Sequence, residues 1–141
     1  MAMADPTPAA DRLRVSRPLS PHIQIFKPIF SMMMSIVHRL TGGALYVGTI
    51  LLALWLVSAA SGKSGFDSVQ WFMGSFLGRL ILFGYTWALL HHMLGGIRHF
   101  IWDFCIGYDL KTIDLMSWGT LVLSAVLTAF IWGFVSASMG G

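Results

Sequence analysis

Three apolar stretches, each long enough to cross a lipid bilayer, leave few folds open to this chain. A membrane-spanning helix needs about 20 mostly apolar residues, and inside lipid only helices and closed barrels satisfy their own backbone. The first stretch runs roughly over 32–60 and is uninterrupted after Arg39. The Ser- and Gly-rich segment SGKSGFDS is expected to end it as a loop. The second runs roughly over 69–104, most apolar between Leu80 and Gly95, before the linker IGYDLKTID with Asp109, Lys111 and Asp114. The third covers roughly 115–139 without a charge. The predicted fold is therefore an all-α membrane protein. A short N-terminal segment over 1–28 precedes a three-helix transmembrane domain over 29–141.

Composition agrees. Of the 141 residues, 56% are hydrophobic and only 11% charged, where soluble domains carry about a quarter charged residues. Net charge is +3, and its placement matters more than its size. Arg12, Arg14, Arg17 and Lys27 all precede the first span, on the side shared by the linker after the second. The positive-inside rule makes that side cytoplasmic. The opposing loop, with Lys63 and Arg79 against Asp67, is less basic. The N-terminus is thus expected inside and the C-terminus outside. Residues 1–17 are polar and do not read as a secretory signal, while Asp5 and Asp11 fit an Arg-bearing mitochondrial transit peptide poorly. A bacterial inner membrane is expected over a mitochondrial one.

Several function classes drop out. The single cysteine, Cys105, cannot form an intrachain disulfide, and the chain has no cysteine cluster for zinc or iron–sulfur. A CxxCH motif is absent too, so any haem would be held non-covalently. There is no Gly-rich phosphate loop and no basic–aromatic nucleic-acid surface. Gly42, Gly43, Gly48, Gly84, Gly95 and Gly96 permit close helix approach, either within the chain or with helices of another subunit.

Ionisable groups inside a span usually face a bundle interior and mark a functional path. The second span contains LLHHMLGGIRHFIWDF. His92 and His99, seven apart, share nearly one helix face, and His91 points about 100° away from His92. His92 lies about 10 Å deeper than His99 and Arg98. That separation suits a deep imidazole on a haem iron with cations nearer the surface for its propionates. Spacing alone leaves His91 and His92 both open as the ligand, or as histidines bonded to a neighbouring helix. Arg98 and His99 could instead snorkel to the interface, and Asp103 could pair with Arg98. On the first helix, Ser35 and Arg39 are four apart and share a face. A hydroxyl and a guanidinium side by side can hydrogen-bond a quinone carbonyl and stabilise the charge it gains on reduction. Arg39 and His38 could equally reach a haem propionate, and Arg39 could simply set topology.

Three stretches, RPLSPHIQIFKP (17–28), SIVHRLTGG (35–43) and HHMLGGIRHFIWD (91–103), resemble the large cytochrome b anchor subunit of succinate dehydrogenase, complex II. Their order and spacing match over roughly 17–139. In that family the axial haem ligand is the His four residues before the Gly of GIRH. Here that Gly is Gly96, which selects His92 over His91. The resemblance also implies quinone contacts at Ser35, Ile36 and Arg39, and propionate contacts at His38, Arg39, Arg98 and His99. It implies that Pro18–His22 lies against the iron–sulfur subunit. It further implies a haem b shared with a second small membrane-anchor subunit, ubiquinone as substrate, and a flavoprotein that oxidises succinate outside the bilayer. A fumarate reductase anchor would carry the same plan, and a non-redox structural anchor would carry the same helices.

Overall fold

The structure, a computed structural model, describes residues 26–139; the N-terminal basic cluster and Pro18–His22 lie outside the described residues. Four helices follow one another: α1 Phe30–Ala60, α2 Lys63–Gly74, α3 Phe76–Asp103 and α4 Leu110–Met139. Helices α1, α3 and α4 are long and apolar enough to cross a membrane. The chain is an all-helical integral membrane protein, with α3 packed against each of the other three helices.

The loop expected over SGKSGFDS is mostly helical, and the second span begins at Phe76 rather than near Val69. Two local features divide this region. Gly62 turns the chain after α1 at φ 105°, a conformation that strains other residues. Ser75 then breaks the path in an extended conformation, and its hydroxyl accepts the Gly78 amide at 3.1 Å as the N-cap of α3. Between them, α2 places Phe66 against Trp55 of α1, with ring centroids 6.2 Å apart. The third span also starts earlier than its apolar run. Asp109 caps it by accepting from the Thr112 amide at 3.0 Å and the Thr112 hydroxyl at 2.8 Å.

The interior is polar and small. Met34 and Ala88 are the buried apolar side chains among the described residues, beside buried Thr41, His91, Arg98, Ser117, Thr120, Ser124 and Thr128. Large apolar side chains point outward, as lipid requires. On α4 the buried hydroxyls form one stripe at helical spacing. Each donates back to its own helix, Ser117 to Ile113 O at 2.8 Å and Thr128 to Ser124 O at 2.7 Å among them. Small residues with internally satisfied hydroxyls let helices approach without a hydrophobic driving force.

Close approach is tightest where α1 crosses α3. A methyl group on Gly48 would fall within the Tyr85 ring, whereas one on Gly43 would meet nothing within 4 Å. Gly48→Ala is expected to destabilise the bundle by about 1–3 kcal/mol, and Gly43→Ala to leave it unchanged, read as thermal midpoints of the purified protein. Equal midpoints would contradict the packing described.

The Thr112 hydroxyl, and then its amide, hold the Asp109 carboxyl below the usual carboxylate range. A lowered folded-state pKa means that the cap stabilises above the unfolded value and is lost as pH falls through the folded one. Protection of the Thr112 amide, taken relative to its intrinsic exchange rate at each pH, is therefore expected to fall in acid below the ordinary carboxylate range, and in Asp109→Ala at neutral pH. Exchange that ignores both would contradict the cap.

Candidate functional site

Helices α1 and α3 meet through two histidines. The imidazoles of His38 and His92 stack with centroids 4.1 Å apart and planes 9° from parallel. Each ring bonds the other's backbone. His92 Nδ1 lies 3.0 Å from the His38 carbonyl, and His38 Nε2 lies 3.2 Å from the His92 carbonyl. A carbonyl oxygen only accepts, so His92 carries its proton on Nδ1 and His38 carries its own on Nε2. Thr41, 4% exposed, also donates to the His38 carbonyl at 2.9 Å. Two glycines make room. A Cβ on Gly42 would come 2.8 Å from His92 Cε1, and one on Gly95 would run into the His38 ring.

The neighbouring histidine is placed differently. His91 is 1% exposed, and its Nδ1 lies 3.3 Å from the Ser124 hydroxyl on α4. Ser124 already donates to Leu121 O at 2.9 Å, so it accepts from His91. Arg98, seven residues on, faces the same way and is 4% exposed. Its Nη1 donates to the Ser117 hydroxyl at 3.0 Å, and its guanidinium carbon lies 5.0 Å from the centroid of the Trp102 ring. Arg98 therefore does not snorkel, and it forms no ion pair with Asp103. Asp103 lies five residues later on the helix, about 140° round from it.

Ser35, Ile36 and Arg39 lie near the start of α1. Phe30 in its first turn stacks on Trp118 of α4 at 4.1 Å and 11°, which fixes this end of α1. Ser35 is half-buried, while Ile36 and Arg39 are exposed. Arg39 has no ion-pair partner among the described residues, where the one ion pair joins Lys63 to Asp67 at 2.9 Å. His99 completes the cluster on the α1 side, its ring 5.3 Å from His38 and 5.2 Å from Trp102. The structure thus gathers His38, His92 and His99 at one crossing, with Arg39 beside them in sequence. It sets His91 and Arg98 in the α3–α4 contact.

Chemically, the two halves of the site differ. His92 Nδ1–H is held by a carbonyl, which leaves the Nε2 lone pair as its free function. Metal-bound imidazoles are oriented by such second bonds. No three metal-ligating side chains converge among the described residues, so this chain offers one imidazole at a time rather than a metal cage. Ser35 and Arg39 offer hydrogen-bond donors without an acid nearby. The residues that sequence reasoning missed are Thr41, Gly42 and Gly95 as supports of the crossing, and Ser117 and Ser124 as acceptors on α4. A glycine follows each stacked histidine by three or four residues, and that spacing was the available signal.

The family model described as succinate dehydrogenase/fumarate reductase transmembrane subunit matches residues 14–131. The succinate dehydrogenase cytochrome b556 subunit of Paracoccus denitrificans is 39% identical over 127 residues, covering 87% of this chain and 97% of that protein. The protein of the same name from Rickettsia bellii is 34% identical over 118 residues, covering 82% and 90%. The mitochondrial cytochrome b560 subunit from Sus scrofa is 40% identical over 113 residues, covering 77% of this chain and 64% of that one. Three spanning helices, the polar crossing and these likenesses lead to one assignment: the chain belongs to the family of succinate dehydrogenase and fumarate reductase transmembrane subunits.

Proposed function

We propose that this chain anchors a succinate:ubiquinone oxidoreductase in a bacterial inner membrane, its N-terminus cytoplasmic. In this reading it would supply one imidazole to a b-type haem and part of the ubiquinone-reduction site. The observation that carries it is the fixed tautomer of His92. Its Nδ1–H is spent on the His38 carbonyl, and Nε2 has no hydrogen-bond partner among the described residues. An axial ligand needs that state, and a haem iron needs only one such group from this chain. The second imidazole would come from a second small membrane-anchor subunit, and the outward apolar faces of α1, α3 and α4 suit such a partner or lipid. The relatives' names favour succinate oxidation over fumarate reduction as the direction of turnover.

When bound, the haem would supply a one-electron redox centre between the outer subunits and the quinone. His92 would hold the group from the α1–α3 crossing. His38, Arg39 and His99 offer donors and positive charge for its propionates on the α1 side. Arg98 acts from the α3–α4 contact, where Ser117 holds it. At the quinone site, Ser35 and Arg39 donate to a carbonyl oxygen and Ile36 provides an apolar wall. As ubiquinone takes up two electrons and two protons, negative charge builds on that oxygen. Donors fixed on one rigid helix face stabilise it more than they stabilise the neutral quinone. An iron–sulfur subunit and a flavoprotein would deliver the electrons from the membrane surface, since no residue of this chain can oxidise succinate.

His92→Ala is expected to lower the haem content of the purified complex at least about tenfold, whereas His91→Ala, which removes a bond to α4, keeps the spectrum. Because His91 could move to rescue the first variant, the double substitution is the control. An unaltered haem spectrum in all three would place the ligand elsewhere.

Ser35→Ala is expected to slow succinate-to-quinone turnover about a hundredfold while succinate-to-artificial-acceptor turnover stays normal on the same membranes. Arg39→Leu is expected to do the same, with some loss of assembled complex. If Arg39 only set topology, its variant would give less complex with normal quinone turnover per complex. Unchanged quinone turnover in Ser35→Ala would remove Ser35 from the site.

A further inference from the structure

A polar chamber lies at the opposite end of the bundle from Ser35 and Arg39. It is an open cleft of about 540 Å³ between α2, the first turns of α3 and the last turns of α4, with Gln70, Arg79, Trp132 and Ser136 in its wall. Because α2 joins the end of α1 to the start of α3, this chamber sits on the other side of the membrane from Arg39. Two exposed aromatics on the neighbouring turns mark its depth. Trp71 on α2 and Phe76 at the start of α3 are 79% and 85% exposed, as aromatic anchors at headgroup level are.

The polar groups facing this space are donors. Trp55 Nε1 donates to Gln70 Oε1 at 3.4 Å, which leaves the Gln70 NH2 as the free end of that amide. Trp132 Nε1 is already engaged by the Thr86 hydroxyl at 3.3 Å. Arg79 has no carboxylate partner among the described residues, where the one ion pair joins Lys63 to Asp67. Among the described residues no acid lines the chamber. A guanidinium, an amide NH2 and a hydroxyl without an acid suit an anion with several acceptor oxygens. A second cavity of about 300 Å³ adjoins the first, sharing Gln70, Met73 and Leu82, and its wall of Leu51, Ile81 and Tyr85 is apolar. The combined shape suits an anion joined to a hydrocarbon chain.

We propose that this paired cavity binds one anionic phospholipid from the leaflet on the α2 side. Its phosphate oxygens meet Arg79, Gln70 and Ser136, and an acyl chain fills the apolar chamber. The bound lipid neutralises Arg79 and ties α2 to both α3 and α4, an arrangement independent of haem and quinone at the other surface.

The experiment uses the whole complex, purified and stripped of lipid by detergent exchange. It is titrated with phosphatidylglycerol or phosphatidylcholine, and bound lipid is counted by native mass spectrometry. Both lipids carry the phosphate, but the choline cation of phosphatidylcholine is repelled by the Arg79 guanidinium, which predicts at least about tenfold tighter binding of the lipid with net negative charge. Arg79→Gln is expected to erase the preference. Lys63→Gln, a charge removed on the same side but outside the chamber wall, is expected to retain it. Should Arg79→Gln not assemble, Arg79→Lys is expected to keep the preference in weakened form. Equal binding of both lipids by the wild type, or a preference that survives in Arg79→Gln, would overturn the proposal. So would recovery of a neutral quinone, in place of phospholipid, that Arg79→Gln releases.

Discussion

The exchange of hydrogen bonds between His38 and His92 is the contact on which the rest of the structure depends. In lipid an unsatisfied polar group costs several kcal/mol, so two imidazoles in spanning helices must find partners or leave the span. Each finds the other's backbone, and the rings stack as a consequence. That arrangement demands close helix axes, and Gly42 and Gly95 supply the space. It also decides which nitrogen of His92 remains basic. Packing and chemistry are therefore set by the same pair of bonds.

The α3–α4 contact solves the same problem in another way. His91 and Arg98 are ionisable groups with almost no exposure, and α4 meets them with hydroxyls at helical spacing. Those hydroxyls have given their own protons to backbone carbonyls, which leaves lone pairs facing α3. One face of α3 thus presents histidines to α1 and the other presents a histidine and an arginine to α4. This division explains why adjacent residues, His91 and His92, are suited to different work. The first is locked into the bundle, and the second is half-buried at a crossing with one nitrogen in reserve.

Much of this was legible in the sequence. The spans follow from apolar run length, and the shared face of His92 and His99 follows from a separation of seven residues. The offset of His91 from His92 follows from helix geometry alone, whereas Arg98, read with His99 as a surface cation, lies instead with His91 against α4. Helix α2 was not legible, because Ser and Gly in SGKSGFDS read as a loop. A break at Ser75, with its hydroxyl on the Gly78 amide, depends on one local cap that composition does not show. Nor was the role of the α4 hydroxyls visible. Ser117, Thr120, Ser124 and Thr128 look like ordinary membrane-helix residues until the side they face is known. The partner of each imidazole is set by tertiary approach, which spacing along one helix does not encode.

We propose that His92, held by the His38 carbonyl, gives its free nitrogen to a haem iron shared with a partner subunit. The most direct measurement is a reduced-minus-oxidised absorption spectrum of the wild-type complex purified from cells supplied with haem. The expected result is the α-band of a low-spin, bis-histidine b haem, at one haem per copy of this chain. A complex that holds this chain in full amount and shows no such band would contradict it, and would leave the histidine crossing as a structural joint alone.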